Sequence, residues 1–258
     1  MPRPIQATIH TSALQHNLSL LRARAQDARV WAVVKANAYG HGIERVYEGL
    51  RGADGFALLD LDEAQRVRDL GWRGPILLLE GVFEARDLEL CSRLDLWHTV
   101  HCDEQIDMLA LHKTHEPHRI FLKMNSGMNR LGFAPQRFRS AWTRLNALPQ
   151  VDEISLMTHF SDADGPLGIA AQMAVFAAAR AAGSIGADEA NGIAAHPLLH
   201  HIFQAHKGAT TDEQDLAGVD LNAVLVGMLA SPLGWHVGDG ALQQLQQGLL
   251  HALTGDIP

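Results

Sequence analysis

A lysine at the end of an apolar run is the first residue in this chain that could do chemistry. Lys35 directly follows Val30-Trp-Ala-Val-Val34 and precedes Ala36-Asn-Ala-Tyr-Gly-His-Gly42. An amine held at a strand end can form a Schiff base with a carbonyl compound, and the apolar approach is expected to desolvate its side chain. By position alone, a solvated strand-end lysine is the commoner case. A second segment, Leu122-Lys-Met-Asn-Ser-Gly-Met-Asn-Arg-Leu-Gly-Phe133, reads as a strand end followed by a polar turn containing glycine. That is the layout of an active-site loop, and it brings Lys123 and Arg130 into consideration. A third, Ile154-Ser-Leu-Met-Thr-His159, ends a strand pattern on a histidine. A lone histidine is more often structural than catalytic. His10 and His41 carry no assignable chemistry. The His-rich run His196-Pro-Leu-Leu-His-His201, with His206, matches no structural zinc spacing and has no cysteine nearby, so no metal site is expected.

Short apolar runs with helical patterns between them must position these residues. The runs are Val30–Val34, Gly55–Leu59, Pro75–Leu79, Asp95–Val100, Arg119–Lys123 and Ile154–Thr158. Between them lie helical stretches from Asp60 to Leu70, Asp103 to Leu111 and Pro135 to Leu145, with a further alanine-rich one from Ala170 to Ala182. Six strands alternating with helices within about 160 residues predict repeated βα units and a parallel sheet. The expected fold class is α/β, a (β/α)8 barrel of the TIM type that is incomplete. A doubly wound open sheet is the competing layout, but no glycine-rich dinucleotide fingerprint follows any of the strands. In either layout the three chemical segments lie at strand C-termini, where such folds build their sites.

The run Val33-Val-Lys-Ala-Asn-Ala-Tyr-Gly-His-Gly42 resembles the cofactor-lysine signature of the alanine racemase family. The segments Leu58-Leu-Asp-Leu-Asp-Glu-Ala64 and Gly74-Pro-Ile-Leu-Leu-Leu-Glu-Gly81 resemble the catabolic, broad-specificity bacterial branch. The resemblance implies pyridoxal 5'-phosphate as cofactor, alanine as substrate and a homodimer as the assembly. It implies that Lys35 attaches the cofactor and serves as one of two catalytic bases, and that Tyr39 contacts the cofactor phosphate. Arg130 matches the arginine at the cofactor's phenolic oxygen, and Lys123 the carbamylated lysine that orients it. His159 matches the histidine at the cofactor ring, a packing and hydrogen-bonding role rather than proton transfer.

The resemblance covers residues 1 to about 181, and the chain changes character there. Residues 1–180 hold 20 of the 21 Lys+Arg and 21 of the 29 Asp+Glu, whereas residues 181–258 hold Lys207 alone against eight acids. Three parts expected next by resemblance are not legible: a phosphate-binding serine segment, an arginine for the pyridine nitrogen, and a C-terminal β-domain with a catalytic tyrosine. No arginine follows Arg180 and no tyrosine follows Tyr47. Two domains are therefore expected, a cofactor-binding barrel portion over 1–181 and a divergent, helical or partly disordered tail over 182–258. The best helical pattern in that tail runs from Ala241 to Leu253. Impaired racemisation, a non-enzymatic carrier of the cofactor and a truncated pseudoenzyme all stay open at this point.

Bulk composition excludes other classes. The chain has 258 residues, 47% hydrophobic and 19% charged, with a formal net charge of −8. That balance gives no reason to expect nucleic acid or an anionic membrane as partner. No apolar run approaches the roughly 18 residues of a membrane span. Two cysteines, Cys91 and Cys102, do not make a disulfide framework. They are expected to be packing residues in a cytoplasmic protein.

Overall fold

The β-branched and aromatic runs become six parallel strands: β1 (Trp31–Val33), β2 (Gly55–Leu58), β3 (Ile76–Leu78), β4 (Trp97–Val100), β5 (His118–Lys123) and β6 (Val151–Met157). The computed structural model describes residues 8–25, 28–113, 116–163 and 166–182. The His-rich run at 196–206, the helical pattern at 241–253 and the division between 181 and 182 fall outside or at the edge of these residues. The strands pair strictly in chain order, each parallel to the next, in the sheet β1-β2-β3-β4-β5-β6. A doubly wound sheet reverses its strand order at a switch point. The described strands show no reversal, so they form the incomplete barrel expected from the sequence.

Eight helical elements accompany the strands among the described residues. They are α1 (Thr11–Ala25), a turn labelled α2 (Lys35–Tyr39), α3 (Ile43–Leu50), α4 (Leu61–Asp69), α5 (Asp87–Arg93), α6 (Asp103–Leu111), α7 (Pro135–Asn146) and α8 (Ala170–Ala182). Local chemistry explains several of them. In α3, Ile43, Val46, Tyr47 and Leu50 are buried at helical spacing, one apolar stripe against the sheet. The Asp60 carboxylate caps α4 by accepting from Asp62 N at 2.8 Å. Asp62 and Glu63 then lie at the positive end of that helix and Arg66 and Arg68 at the negative end. Pro135 opens α7, where its missing N–H is no loss.

Alternation along the strands separates two apolar layers. On one face, Trp31, Trp97 and Phe121 pack with ring centroids 5.6, 6.3 and 5.9 Å apart. Gly55 leaves room for this cluster, since a Cβ there would come within 2.4 Å of the Trp31 ring. On the same face, one layer further along, Thr99 Oγ1 donates to Met157 Sδ at 3.8 Å. The opposite face packs against the helices, as where Phe56 stacks on Tyr47 and meets Trp72 edge-on. Cys91 is fully buried there, and burial first, then Asp87, pushes its thiol up to about 12. Both cysteines are free, and Cys91 is the inert packing residue expected.

Two boundaries differ from the sequence reading. β4 begins at Trp97 rather than Asp95, because Asp95 takes a left-handed φ of 48° and turns the chain before the strand starts. β6 begins earlier, at Val151, where its pairing with His118 opens the β5–β6 ladder. Among the described residues, no helix is long and apolar enough to cross a membrane.

Candidate active site

Side chains alternate along a strand, so residues two apart share a face. This periodicity puts Phe121 and Lys123 of β5 on the inner layer, with Lys123 at its C-terminal end. Lys35 lies two residues beyond β1 and His159 two residues beyond β6. The charge effects of Lys35 and Arg130 on Lys123, and of all three on His159, bring these side chains to one mouth. Their charges register on each other. Burial holds the Lys123 ammonium down at about 8, helped by the Arg130 and Lys35 charges and opposed by Glu80. Burial also lowers His159 to about 4, with Lys123, Arg130 and Lys35 acting in the same direction. His159 is thus a neutral imidazole at physiological pH, beside Lys123, Arg130 and Lys35.

Among the described residues, the most deeply buried lysine is not the one expected. The apolar approach to Lys35 leaves it only half-buried, because it stands beyond the end of β1. Lys123 lies inside β5 and is 5% exposed. Tyr39 ends the turn that begins at Lys35. It is half-buried against the core, and that burial raises its phenol.

The loop after β5 is built by its own polar side chains. The Asn125 Oδ1 accepts from Gly127 N at 3.1 Å and Asn129 N at 2.9 Å. Phe133 N donates to Lys123 O at 2.9 Å and Asn125 N to Phe133 O at 2.9 Å, closing the loop into which Arg130 is set. A hydroxyl relay fastens it to the loop after β6. Gln172 Nε2 donates to Ser126 Oγ at 3.4 Å, and Ser126 and Thr158 hydroxyls meet at 2.7 Å. Thr158 Oγ1 donates in turn to Met124 O at 3.0 Å. Gln172 Nε2 also reaches His159 O at 3.3 Å. Arg130 itself is exposed.

The segment after Lys35 is a left-handed turn. Ala36, Asn37, Ala38 and Tyr39 have φ of 52°, 54°, 53° and 54°. A non-glycine residue costs about 1–2 kcal/mol in this conformation, so the run stores several kcal/mol. Gly40 N, His41 N and Gly42 N donate back to Ala36 O, Ala38 O and Asn37 O at 2.9, 3.0 and 2.9 Å. Asn37 N donates to Glu63 Oε1 at 2.5 Å. Glu63 and Arg66 were not among the residues read as functional. The signal for Glu63 is the acidic helix start Asp60-Leu-Asp-Glu63, but only the fold reveals what its carboxylate faces.

Comparison with known proteins decides the family. Residues 9–197 match the family described as "Alanine racemase, N-terminal domain". The chain belongs to the alanine racemase family. The match runs past residue 181, where the resemblance of the sequence motifs ends. Alanine racemase of Variovorax paradoxus is 85% identical over 176 residues, which are 68% of this chain and 48% of the relative. That of Paracidovorax citrulli is 82% identical over 179 residues, 69% of this chain and 48% of the relative. Among solved structures, the biosynthetic alanine racemase of Pseudomonas aeruginosa shares 41% identity with a TM-score of 0.61, covering 65% of this chain and 48% of that one. A histidine racemase from Leuconostoc mesenteroides is also similar, at 29% identity and a TM-score of 0.58, covering 64% of this chain and 46% of that one. The chain spans about half the length of these racemase relatives.

Proposed function

We propose that this chain is the pyridoxal 5'-phosphate-binding half of an alanine racemase, with Lys35 as the attachment point. The convergence of Lys35, Lys123, Arg130 and a neutral His159 on one mouth carries the reading. A cationic mouth suits a cofactor that bears a phosphate and a phenolic oxygen, so the residues present fit the group. When bound, the cofactor draws electrons from the substrate Cα and makes its proton removable. Lys35 Nζ holds the cofactor and moves the proton on one face of the amino acid. Arg130 would face the phenolic oxygen with its permanent guanidinium charge. Tyr39 would hold the phosphate, and His159 would pack against the ring as an uncharged imidazole. The substrate on this reading is alanine, the assembly a homodimer and the setting the cytoplasm.

Lys123 orients Arg130. Its ammonium, held near 8, first gives up one proton; the free amine then adds to the carbon of CO2 and loses a second proton to solvent, leaving an anionic carbamate beside the guanidinium. The free amine increases with pH through about 8. Incubation with 13C-bicarbonate is expected to give a carbamate resonance that rises over this range and disappears in Lys123→Ala. A resonance insensitive to that substitution would exclude this role.

The second reading is cofactor binding without turnover, in which these residues hold the cofactor but move no proton. One experiment separates the readings and tests both. The protein is incubated with pyridoxal phosphate, reduced with borohydride and mapped by mass spectrometry, and D-alanine formation is assayed in parallel. The adduct is expected at Lys35 and is lost in Lys35→Ala. Adduct with D-alanine formation supports the racemase, adduct alone the carrier, and no adduct at Lys35 ends both.

A further inference from the structure

We propose that Glu63, Arg66 and Glu44 are positioning residues that clamp Asn37 and so hold the left-handed turn between Lys35 and Tyr39. The turn has no conformational reason to exist by itself, since two alanines, an asparagine and a tyrosine occupy a region L-residues avoid. Interactions from outside must over-determine it. They converge on one residue. The backbone N–H of Asn37 donates to Glu63 Oε1 at 2.5 Å. Its side-chain oxygen accepts from Arg66 Nη2 at 2.7 Å and from Ile43 N at 3.2 Å. Its backbone oxygen accepts from Gly42 N at 2.9 Å and Gly40 N at 3.2 Å.

The partners come from two helices. Glu63 and Arg66 lie one turn apart on α4, and Glu44 on α3 fixes Arg66 through Nε to Oε1 and Nη2 to Oε2, both at 2.7 Å. That bidentate pair holds the Glu44 carboxyl down at about 2, with the Arg66 hydrogen bond the main cause. Glu63 is 8% exposed and its second oxygen, Oε2, makes no hydrogen bond among the described residues. Its carboxylate is therefore directed at a single amide, that of Asn37. A carboxylate acceptor on a part-buried amide makes a strong, short contact. The turn starts at Lys35 and ends at Tyr39, so the clamp sets the direction in which both side chains leave the barrel mouth.

The consequence for Lys35 rests on the cofactor reading above, whereas the clamp itself can be read without cofactor. Hydrogen exchange of the peptide covering 34–43 is compared in the native chain, Glu63→Ala, Glu63→Gln and Arg66→Gln. Loss of a charge-assisted hydrogen bond is expected to speed exchange there by roughly 10- to 100-fold in Glu63→Ala, with β5 and β6 unchanged. Glu63→Gln keeps an acceptor oxygen and is expected to restore most of the protection. Arg66→Gln lies on a half-exposed side chain that folding tolerates, and gives a smaller change in the same direction. With pyridoxal phosphate and borohydride, the share of adduct at Lys35, against Lys113, Lys123 and Lys207, is expected to fall in Glu63→Ala and recover in Glu63→Gln. Exchange within about twofold of native in both Glu63→Ala and Arg66→Gln overturns the clamp. Faster exchange with an unchanged Lys35 share overturns its positioning role. A native chain with no Lys35 adduct overturns the cofactor reading, and exchange still decides the clamp.

Discussion

Lowering the pH from 7 to 4.5 is expected to remove on the order of 5 kcal/mol of folding stability through two buried histidines. His98 on β4 and His118 on β5 are 1% and 3% exposed, and their rings meet edge-on at 5.1 Å. His112, at the end of α6, approaches His118 at 5.3 Å. Neither ring nitrogen of His98 finds a hydrogen-bond partner among the described residues, nor does Nε2 of His118. Burial, then the charges of His118 and His112, pushes His98 down to about 3. Burial, then His112, pushes His118 to about 4.

Both folded-state values lie below the unfolded value of 6.5, so the unfolded chain binds more protons in the window between. Stability is complete above pH 6.5 and falls on acidification, by about 1.4 kcal/mol per pH unit for each histidine. Carboxylates titrate mostly below about 4.5, which leaves the interval from 6.5 to 4.5 to histidine. His159, held near 4, acts in the same direction but is only half-buried. Urea denaturation at pH 7, 5.5 and 4.5 checks the expectation. His98→Leu/His118→Leu should flatten most of the slope; an unaltered slope in that variant would refute the assignment.

Gly81→Ala is expected to destabilise the protein by about 3 kcal/mol or more and to disorganise the mouth of the barrel. Gly81 has φ of 74°, and a Cβ there would stand 2.0 Å from the Thr99 carbonyl oxygen and 2.6 Å from Gln105 Nε2. The first neighbour is strand backbone and cannot give way. The second belongs to a latch between the loops after β3 and β4. Gln105 Nε2 donates to Glu80 O at 2.8 Å and Val82 O at 3.1 Å, while His101 N donates to Gln105 Oε1 at 2.8 Å. Glu80 in that loop raises Lys123 against the effects of burial. The substitution should therefore lower the midpoint in urea and shift the pH midpoint of 13C carbamate formation. Gln105→Leu, which cuts the latch without the clash, separates the two effects. A Gly81→Ala protein as stable as the native chain would show that the loop has room to move.

Much of this protein was legible in its residues. The spacing of six apolar runs carried the parallel sheet, because a buried parallel strand needs a continuous apolar segment and its return needs a helix. The motifs around Lys35, Lys123, Arg130 and His159 carried the family, and the apolar runs before them put those residues at strand C-termini. The charge break near Arg180 was equally plain in the composition. Other features depended on contacts between residues far apart in the chain. Nothing in Ala36-Asn-Ala-Tyr39 announces a left-handed turn, since local propensity opposes it and Glu63 and Arg66 impose it from another helix. Burial also ranked the two site lysines in the order opposite to that suggested by their flanking residues: Lys123 lies within a strand and Lys35 two residues beyond one. Sequence determined which groups are present and at which strand ends they fall. Tertiary structure decided which of them lose water, because desolvation depends on every neighbour in space and not on the neighbours along the chain.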